Sequence, residues 1–291
     1  MLAAVNRSVR KAIAAHEAAG RRFEATDIGS FVLEQGEGDP VVLMHGVPVS
    51  SYLYRRLIPE LAARGLRGVA FDLPGLGLAD RPEEFDYSWS GLARWTGEAI
   101  DALETDRCHL VVHDIGGPVG FEWAIRNPGR VLSLTALNTL VDVASFHRPW
   151  PMHPFSIRGL GEAWLRSMVR PAFRQIYYLV GIEDRARVPS AEVDAHHALL
   201  KRGDGGRAFL RIMRGFELTE AKERFYFDGL AERPYPAQVA WGAEDRMLDE
   251  HRRLAVQRAL GVDEPTLLPA KHFLQEDRAA DVAEAIAVLA A

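Results

Sequence analysis

The segment Leu110-Val111-Val112-His113-Asp114-Ile115-Gly116-Gly117 constrains this chain more than any other. An apolar run of strand type passes into two glycines, and a helical pattern from Gly120 to Arg126 follows directly. A strand that becomes a helix over so few residues must turn sharply. Small residues just after the turn let the helix pack close to its neighbours. Such a turn presents one side chain at the end of the strand, and here that side chain is Asp114. The following helix N-terminus favours negative charge there. Taken alone, an aspartate before two glycines favours the reading of a helix N-cap. Its partners elsewhere in the chain favour a nucleophile.

The same strand-helix rhythm runs through most of the sequence. Phe31–Leu33, Val41–Met44, Gly68–Phe71, Val131–Leu137, Ala237–Trp241 and Thr266–Leu268 read as strands. Helices are expected over Ser51–Ala63, Leu92–Leu103, His251–Leu260 and Ala279–Leu289. Alternation of this kind means a parallel sheet with helices on both faces. The rhythm stops between residues 139 and 233, a stretch rich in Pro, His, Arg and aromatics, with helical patterns at Leu160–Val169 and Phe173–Val180. A helical insertion between two strands is expected to lie over the C-terminal edge of the sheet, where open α/β sheets bind ligands. The expected organisation is an N-terminal amphipathic helix (1–22), a core (23–138), a helical cap (139–233) and a second core segment (234–291).

Bulk properties exclude several classes. A net charge of −5 gives no electrostatic reason to bind nucleic acid or an anionic membrane. No apolar run in Met1–Arg22 is long enough for a signal region or a membrane span. The single cysteine, Cys108, allows no intrachain disulfide and points to a reducing, cytoplasmic setting. No His or Cys cluster has metal-ligand spacing, so neither metal nor cofactor is expected. The expected partner is a small, mostly apolar substrate, taken by a monomer or a homodimer.

Three further segments supply partners for Asp114. Trp241-Gly242-Ala243-Glu244-Asp245 ends a late strand, and an acid there would orient a histidine and stabilise its cation. Asp245 is the candidate, with Glu244 competing beside it. His272, in Lys271-His272-Phe273-Leu274-Gln275-Glu276-Asp277, follows that acid and completes the order nucleophile, acid, histidine. His45-Gly46-Val47-Pro48 follows an early strand. Its Val47 amide, with that of Ile115, would form an oxyanion hole.

Together these residues resemble the α/β-hydrolase superfamily, in the branch that holds haloalkane dehalogenases and epoxide hydrolases. The motifs that carry the resemblance also include Ser50-Ser51-Tyr52-Leu53-Tyr54-Arg55 and Phe71-Asp72-Leu73-Pro74-Gly75-Leu76-Gly77. The resemblance covers nearly the whole chain after about Phe23. It implies a mostly parallel sheet with helices on both faces and a helical cap inserted after the sixth strand. It also implies an Asp114–His272–Asp245 triad working through an aspartyl ester.

The two activities part at the leaving group. Dehalogenases of this branch place a tryptophan after the nucleophile to hold the departing halide, and this chain has Ile115. The second halide donor is an asparagine in one subgroup, where Val47 stands here, or a cap tryptophan, for which Trp150 and Trp164 remain. Losing one such donor costs roughly 3 kcal/mol of transition-state stabilisation. Epoxide hydrolases instead protonate the opening oxygen with cap tyrosines. Tyr177 and Tyr178 are available for that, or simply pack the cap, and Arg174 falls near the first tyrosine position. The cap histidines His147, His153, His196 and His197 are also present. Epoxide opening is therefore the first expectation and dehalogenation the second. A ligand-binding protein without turnover is the third, although binding alone needs no triad. An esterase is disfavoured, because acyl transfer to a carboxylate gives an anhydride and Ser50 and Ser51 lie on the wrong turn.

Overall fold

The computed structural model describes residues 6–291. Eight strands form one sheet: β1 (Gly20–Ala25), β2 (Ile28–Gln35), β3 (Pro40–Met44), β4 (Arg67–Phe71), β5 (Cys108–Asp114), β6 (Val131–Thr139), β7 (Ala237–Gly242) and β8 (Thr266–Leu268). Their spatial order is β1-β2-β4-β3-β5-β6-β7-β8. β1 and β2 join as an antiparallel edge, and β4, β3, β5, β6, β7 and β8 run parallel. β3 and β5 lie in the middle, and every residue of β5 but Asp114 is buried. That explains an unbroken apolar run in place of alternation: helices cover both faces of the strand.

The core helices are α1 (Arg7–Ala19), α2 (Leu57–Ala62), α3 (Trp89–Ala102) and α4 (Gly116–Arg126). Between β6 and β7 the chain makes five more: α5 (Leu160–Ser167), α6 (Arg170–Gly181), α7 (Ser190–Leu200), α8 (Arg207–Arg214) and α9 (Glu220–Ala231). This is the helical cap inserted after the sixth strand. Its last helix, α9, packs against α4 and against α10 (Glu250–Leu260). A short turn, α11 (Leu274–Asp277), and α12 (Ala279–Ala290) end the chain.

Several elements differ from the sequence pattern. The helix expected over residues 1–22 spans Arg7–Ala19 among the described residues, and Gly20–Arg22 open β1. Gly20 marks the change, since a Cβ there would lie 2.3 Å from the Phe31 ring and the Val32 carbonyl. The helix expected over Ser51–Ala63 is a 3-10 turn at Ser51–Tyr54 followed by α2. Polar anchors break it: the Ser51 N–H donates to Asp72 Oδ1 at 2.7 Å, and Arg55 and Arg56 reach away to Glu276 and Glu192. Pro59 falls in the first turn of α2, where its missing N–H has no intrahelical acceptor. The helix expected from Gly120 starts earlier, at Gly116.

That early start is a matter of packing. A Cβ on Gly116 would meet the Met44 carbonyl oxygen at 2.4 Å, and one on Gly117 would meet Thr139 Oγ1 at 1.7 Å. The backbone of α4 thus lies directly on β3 and β6. Gly116→Ala is expected to lower stability by about 1–3 kcal/mol, because the clash is with backbone that must shift. A reduced urea midpoint at unchanged slope checks it.

Candidate active site

Asp114 closes β5 in the left-handed backbone region, at φ 52°. An L-residue there costs of order 1–3 kcal/mol and persists only where its surroundings hold it. Here Thr139 Oγ1 donates to the Asp114 carbonyl at 2.6 Å. The turn lifts the carboxylate off the strand end, towards the loop after β3. Gly46 makes that possible, since a Cβ on it would fall 2.1 Å from Asp114 Oδ1. The Val47 N–H donates to Asp114 Oδ1 at 2.8 Å, and the Ile115 N–H also supports the charge. The structure thus brings both expected amides to one carboxylate.

His272 lies on the other side. Its Nε2 is 3.7 Å from Asp114 Oδ2, and its Nδ1 donates to Asp245 Oδ2 at 2.9 Å. Glu244, the competing acid, is exposed to solvent, whereas Asp245 is buried. Asp245 Oδ1 also accepts the Met247 and Leu248 amides at 2.7 and 3.2 Å. Its Oδ2 accepts Asn138 Nδ2 at 2.6 Å, and Asn138 Oδ1 accepts the Gly242 N–H at 2.8 Å. Asn138 and His113 are site residues that the motifs did not single out. His113 donates from Nε2 to the His272 carbonyl at 2.8 Å. Both stand at strand ends beside Asp114 in the sheet, and an Asn or His closing an apolar run is the only sequence signal they leave.

The charges of the site are coupled. Burial alone would lower the pKa of His272, but Asp245 and Asp114 outweigh it and raise it to about 10. Burial alone would raise Asp114, but His272 and the flanking groups hold it below its ordinary value. Burial pushes His113 down to about 3, so it is neutral. The raised His272 and the lowered Asp114 favour an imidazolium–carboxylate pair at these two residues.

A mostly apolar cavity opens above Asp114. Val47, Ile115, Leu140, Phe155, Phe209, Met213 and Phe273 are among its walls, with Asp114, His272, Tyr177 and Arg148 as its polar members. Of the two cap tyrosines, only Tyr177 lines it. Its ring stacks on Phe273 at 4.5 Å between centroids, and its hydroxyl lies 3.4 Å from Glu276 Oε1. Burial and then Glu276 push the phenol well above its usual pKa. Tyr178 is placed elsewhere, donating to the Val188 carbonyl at 2.6 Å. Arg174 pairs with Asp194. Trp164 donates its indole N–H to the Pro151 carbonyl at 3.1 Å and does not line the cavity, and Trp150 is 65% exposed. Neither candidate tryptophan therefore offers an N–H to the space above Asp114. Among the described residues, no cluster of His, Cys, Asp and Glu has metal-binding geometry, and no helix is long and apolar enough to cross a membrane.

Known proteins share this architecture. The family model described as alpha/beta hydrolase fold matches residues 39–279. A haloalkane dehalogenase of Mycobacterium marinum is 30% identical over 86% of this chain and 84% of its own length. Haloalkane dehalogenase 1 of Mycobacterium bovis is 31% identical over 84% of this chain and 81% of its own. The solved structure of the epoxide hydrolase CorEH superposes with a TM-score of 0.78 at 20% identity, covering 93% of this chain and 97% of that one, a likeness of fold. The chain is an enzyme of the α/β-hydrolase fold family, in the branch that its haloalkane dehalogenase relatives occupy.

Proposed function

We propose that this protein opens small electrophiles through an ester on Asp114, and that epoxides are its substrates. One observation carries the reading: a single carboxylate has one oxygen held by the Val47 amide at 2.8 Å and the other facing the His272–Asp245 pair. The amide-bound Oδ1 is the poorer nucleophile and the natural carbonyl oxygen of an ester. Oδ2 is then the atom that attacks.

In the proposed sequence, Oδ2 bonds to an epoxide carbon as the ring C–O bond breaks. The ring oxygen takes the proton of Tyr177, the only hydroxyl lining the cavity among the described residues. Tyr177 recovers its proton from His272 by way of solvent. Ester formation removes one negative charge beside His272, so the imidazolium loses its proton more readily at this stage. Neutral His272 then takes a proton from water, which attacks Cγ while the amides hold the oxyanion on Oδ1. The Cγ–Oδ2 bond breaks, and the departing oxygen takes the proton of the new carboxyl. A diol leaves, with Asp114 ionised and His272 protonated as at the start.

Dehalogenation is the second reading, and the names of the 30% and 31% identical relatives favour it. The absence of Trp and Asn from the cavity walls among the described residues argues for epoxides. An opening epoxide needs a proton, whereas a departing halide needs N–H donors.

His272→Gln separates these readings by halting the cycle at the ester. Incubation with an aryl epoxide is expected to raise the protein's mass by that of the whole epoxide. A bromoalkane adduct would instead add the alkyl group less one hydrogen. No adduct from either electrophile overturns the ester mechanism. Tyr177→Phe is expected to slow epoxide opening by about 10²–10⁴-fold, the range for general-acid catalysis. Single-turnover kinetics would show whether the loss lies in ester formation.

The raised pKa gives a further check. The stability that protonated His272 contributes is present below its unfolded pKa of 6.5 and is lost as pH rises towards about 10. Asp114→Asn imitates the charge loss of ester formation and is expected to lower the His272 pKa from about 10. An NMR titration of the histidine ring protons measures it.

A further inference from the structure

Arg148 sits in the cavity wall, on the segment that leads from β6 into the cap. Its surroundings are apolar: Phe146, Pro149, Met213 and Phe216 line the same cavity. The guanidinium carbon lies 4.6 Å from the centre of the Phe216 ring, and Nη2 donates to the Met213 carbonyl at 2.8 Å. These contacts fix the group in place and leave its charge uncompensated. Nε is buried without an acceptor, and among the described residues no carboxylate forms an ion pair with Arg148. Burial, with no opposing acid, lowers its pKa. Several half-buried arginines of this chain have acids, Arg174 with Asp194, Arg214 with Glu162 and Arg252 with Asp142, whereas Arg233 donates only to the Leu230 and Leu260 carbonyls. Arg148 differs from Arg233 in lining the cavity above Asp114.

A half-buried cation in an apolar wall is poorly solvated, and this one has no counter-ion among the described residues. The cavity's one carboxylate, Asp114, is already matched to His272 and the Val47 amide. The missing anion can therefore come with the ligand. Arginine suits a carboxylate in particular, because its planar fork offers parallel N–H donors. The rest of the lining suits an apolar chain or ring between that carboxylate and the reacting carbon.

We propose that the substrate carries a carboxylate, and that Arg148 pairs with it while Asp114 attacks the far end. Arg148 thus sets specificity and orientation. This inference rests on the reading of the cavity as the substrate site, and it extends the expectation of a purely apolar substrate.

Calorimetric binding of heptanoate and of heptanamide to the intact wild-type protein tests it without any chemistry. The acid is expected to bind at least tenfold more tightly at low salt, with the preference shrinking as salt is added. Arg148→Met keeps an apolar stem against Phe216 and is expected to erase the preference. Arg148→Lys retains part of it. Equal binding of acid and amide by the wild-type protein, or a preference that survives in Arg148→Met, overturns the proposal. The ester mechanism stands or falls separately, on the mass adduct of His272→Gln. A tenfold preference for acid without any adduct would leave Arg148 as an anion site and remove the ester.

Discussion

The arrangement at the top of the sheet depends on holding two carboxylates and one buried imidazole in a row. Asp114 and Asp245 flank His272, at 3.7 and 2.9 Å. Asp114 alone in that environment would be pushed towards its neutral form by loss of solvation. Beside His272 it keeps its charge, and Asp245 and Asp114 in turn raise the His272 pKa against the effect of burial. The partners come from four separate places: the loop after β3, the end of β5, the loop after β7 and the loop after β8. Strands β3, β5, β6, β7 and β8 are consecutive neighbours in the sheet and run in one direction. Their C-terminal ends therefore converge, and residues more than a hundred positions apart meet. The glycines at 46, 116 and 117 follow from the same demand, since a methyl group at each would meet the Asp114 carboxylate, the Met44 and His45 backbone or the Thr139 side chain that holds the Asp114 carbonyl.

A second charged cluster ties the cap to this core. Glu276, fully buried on α11, accepts both guanidinium nitrogens of Arg55 at 2.8 and 2.7 Å and His196 Nε2 of α7 at 2.7 Å. Tyr177 of α6 points its hydroxyl at the same oxygen. Burial alone would raise the pKa of Glu276, and Arg55 more than reverses this. Buried ion pairs of this kind contribute little net stability, and their better-attested use is to specify a register. Here the register is that of the cap on the core. The carboxylate that holds Arg55 also decides where the only hydroxyl of the described cavity lining stands.

Most of the fold was legible because it depends on local, repeating features. The Val111–Gly117 turn, the strand-helix alternation and its interruption from 139 follow from apolar periodicity and glycine placement. β1 left no such trace, because it is an edge strand whose Gly-Arg-Arg-Phe-Glu-Ala sequence continues the charged pattern of the preceding helix. The break inside Ser51–Ala63 was also hidden, since its cause is Asp72, Glu192 and Glu276, all distant in sequence. Asp114, Asp245 and His272 stood out by order and context, and the structure brings them together. The cap residues could not, because their roles depend on which face of a helix meets the cavity. Adjacent tyrosines show this: Tyr177 lines the cavity, whereas Tyr178 bonds the Val188 carbonyl outside it.

The choice between electrophiles reduces to how charge is handled away from Asp114. In the proposed mechanism, attack, oxyanion support and hydrolysis would draw on the same carboxylate, amides and imidazole for an alkyl halide and for an epoxide. Only the departing group differs. A halide leaves as a free anion, and in an apolar cavity it needs N–H donors in place before the bond breaks. An epoxide oxygen stays attached to the substrate and needs one proton. Ile115 places an apolar side chain beside the nucleophile, and Trp164 has spent its N–H on the Pro151 carbonyl. Arg148 remains as a cation, but its guanidinium is held against Phe216 and the Met213 carbonyl. A fixed cation of this sort suits a permanent charge on the substrate better than a transient one at the reacting carbon. On the proposed reading, the cavity walls favour a substrate whose charge is carried at one end and whose reactive bond, at the other, opens with a proton.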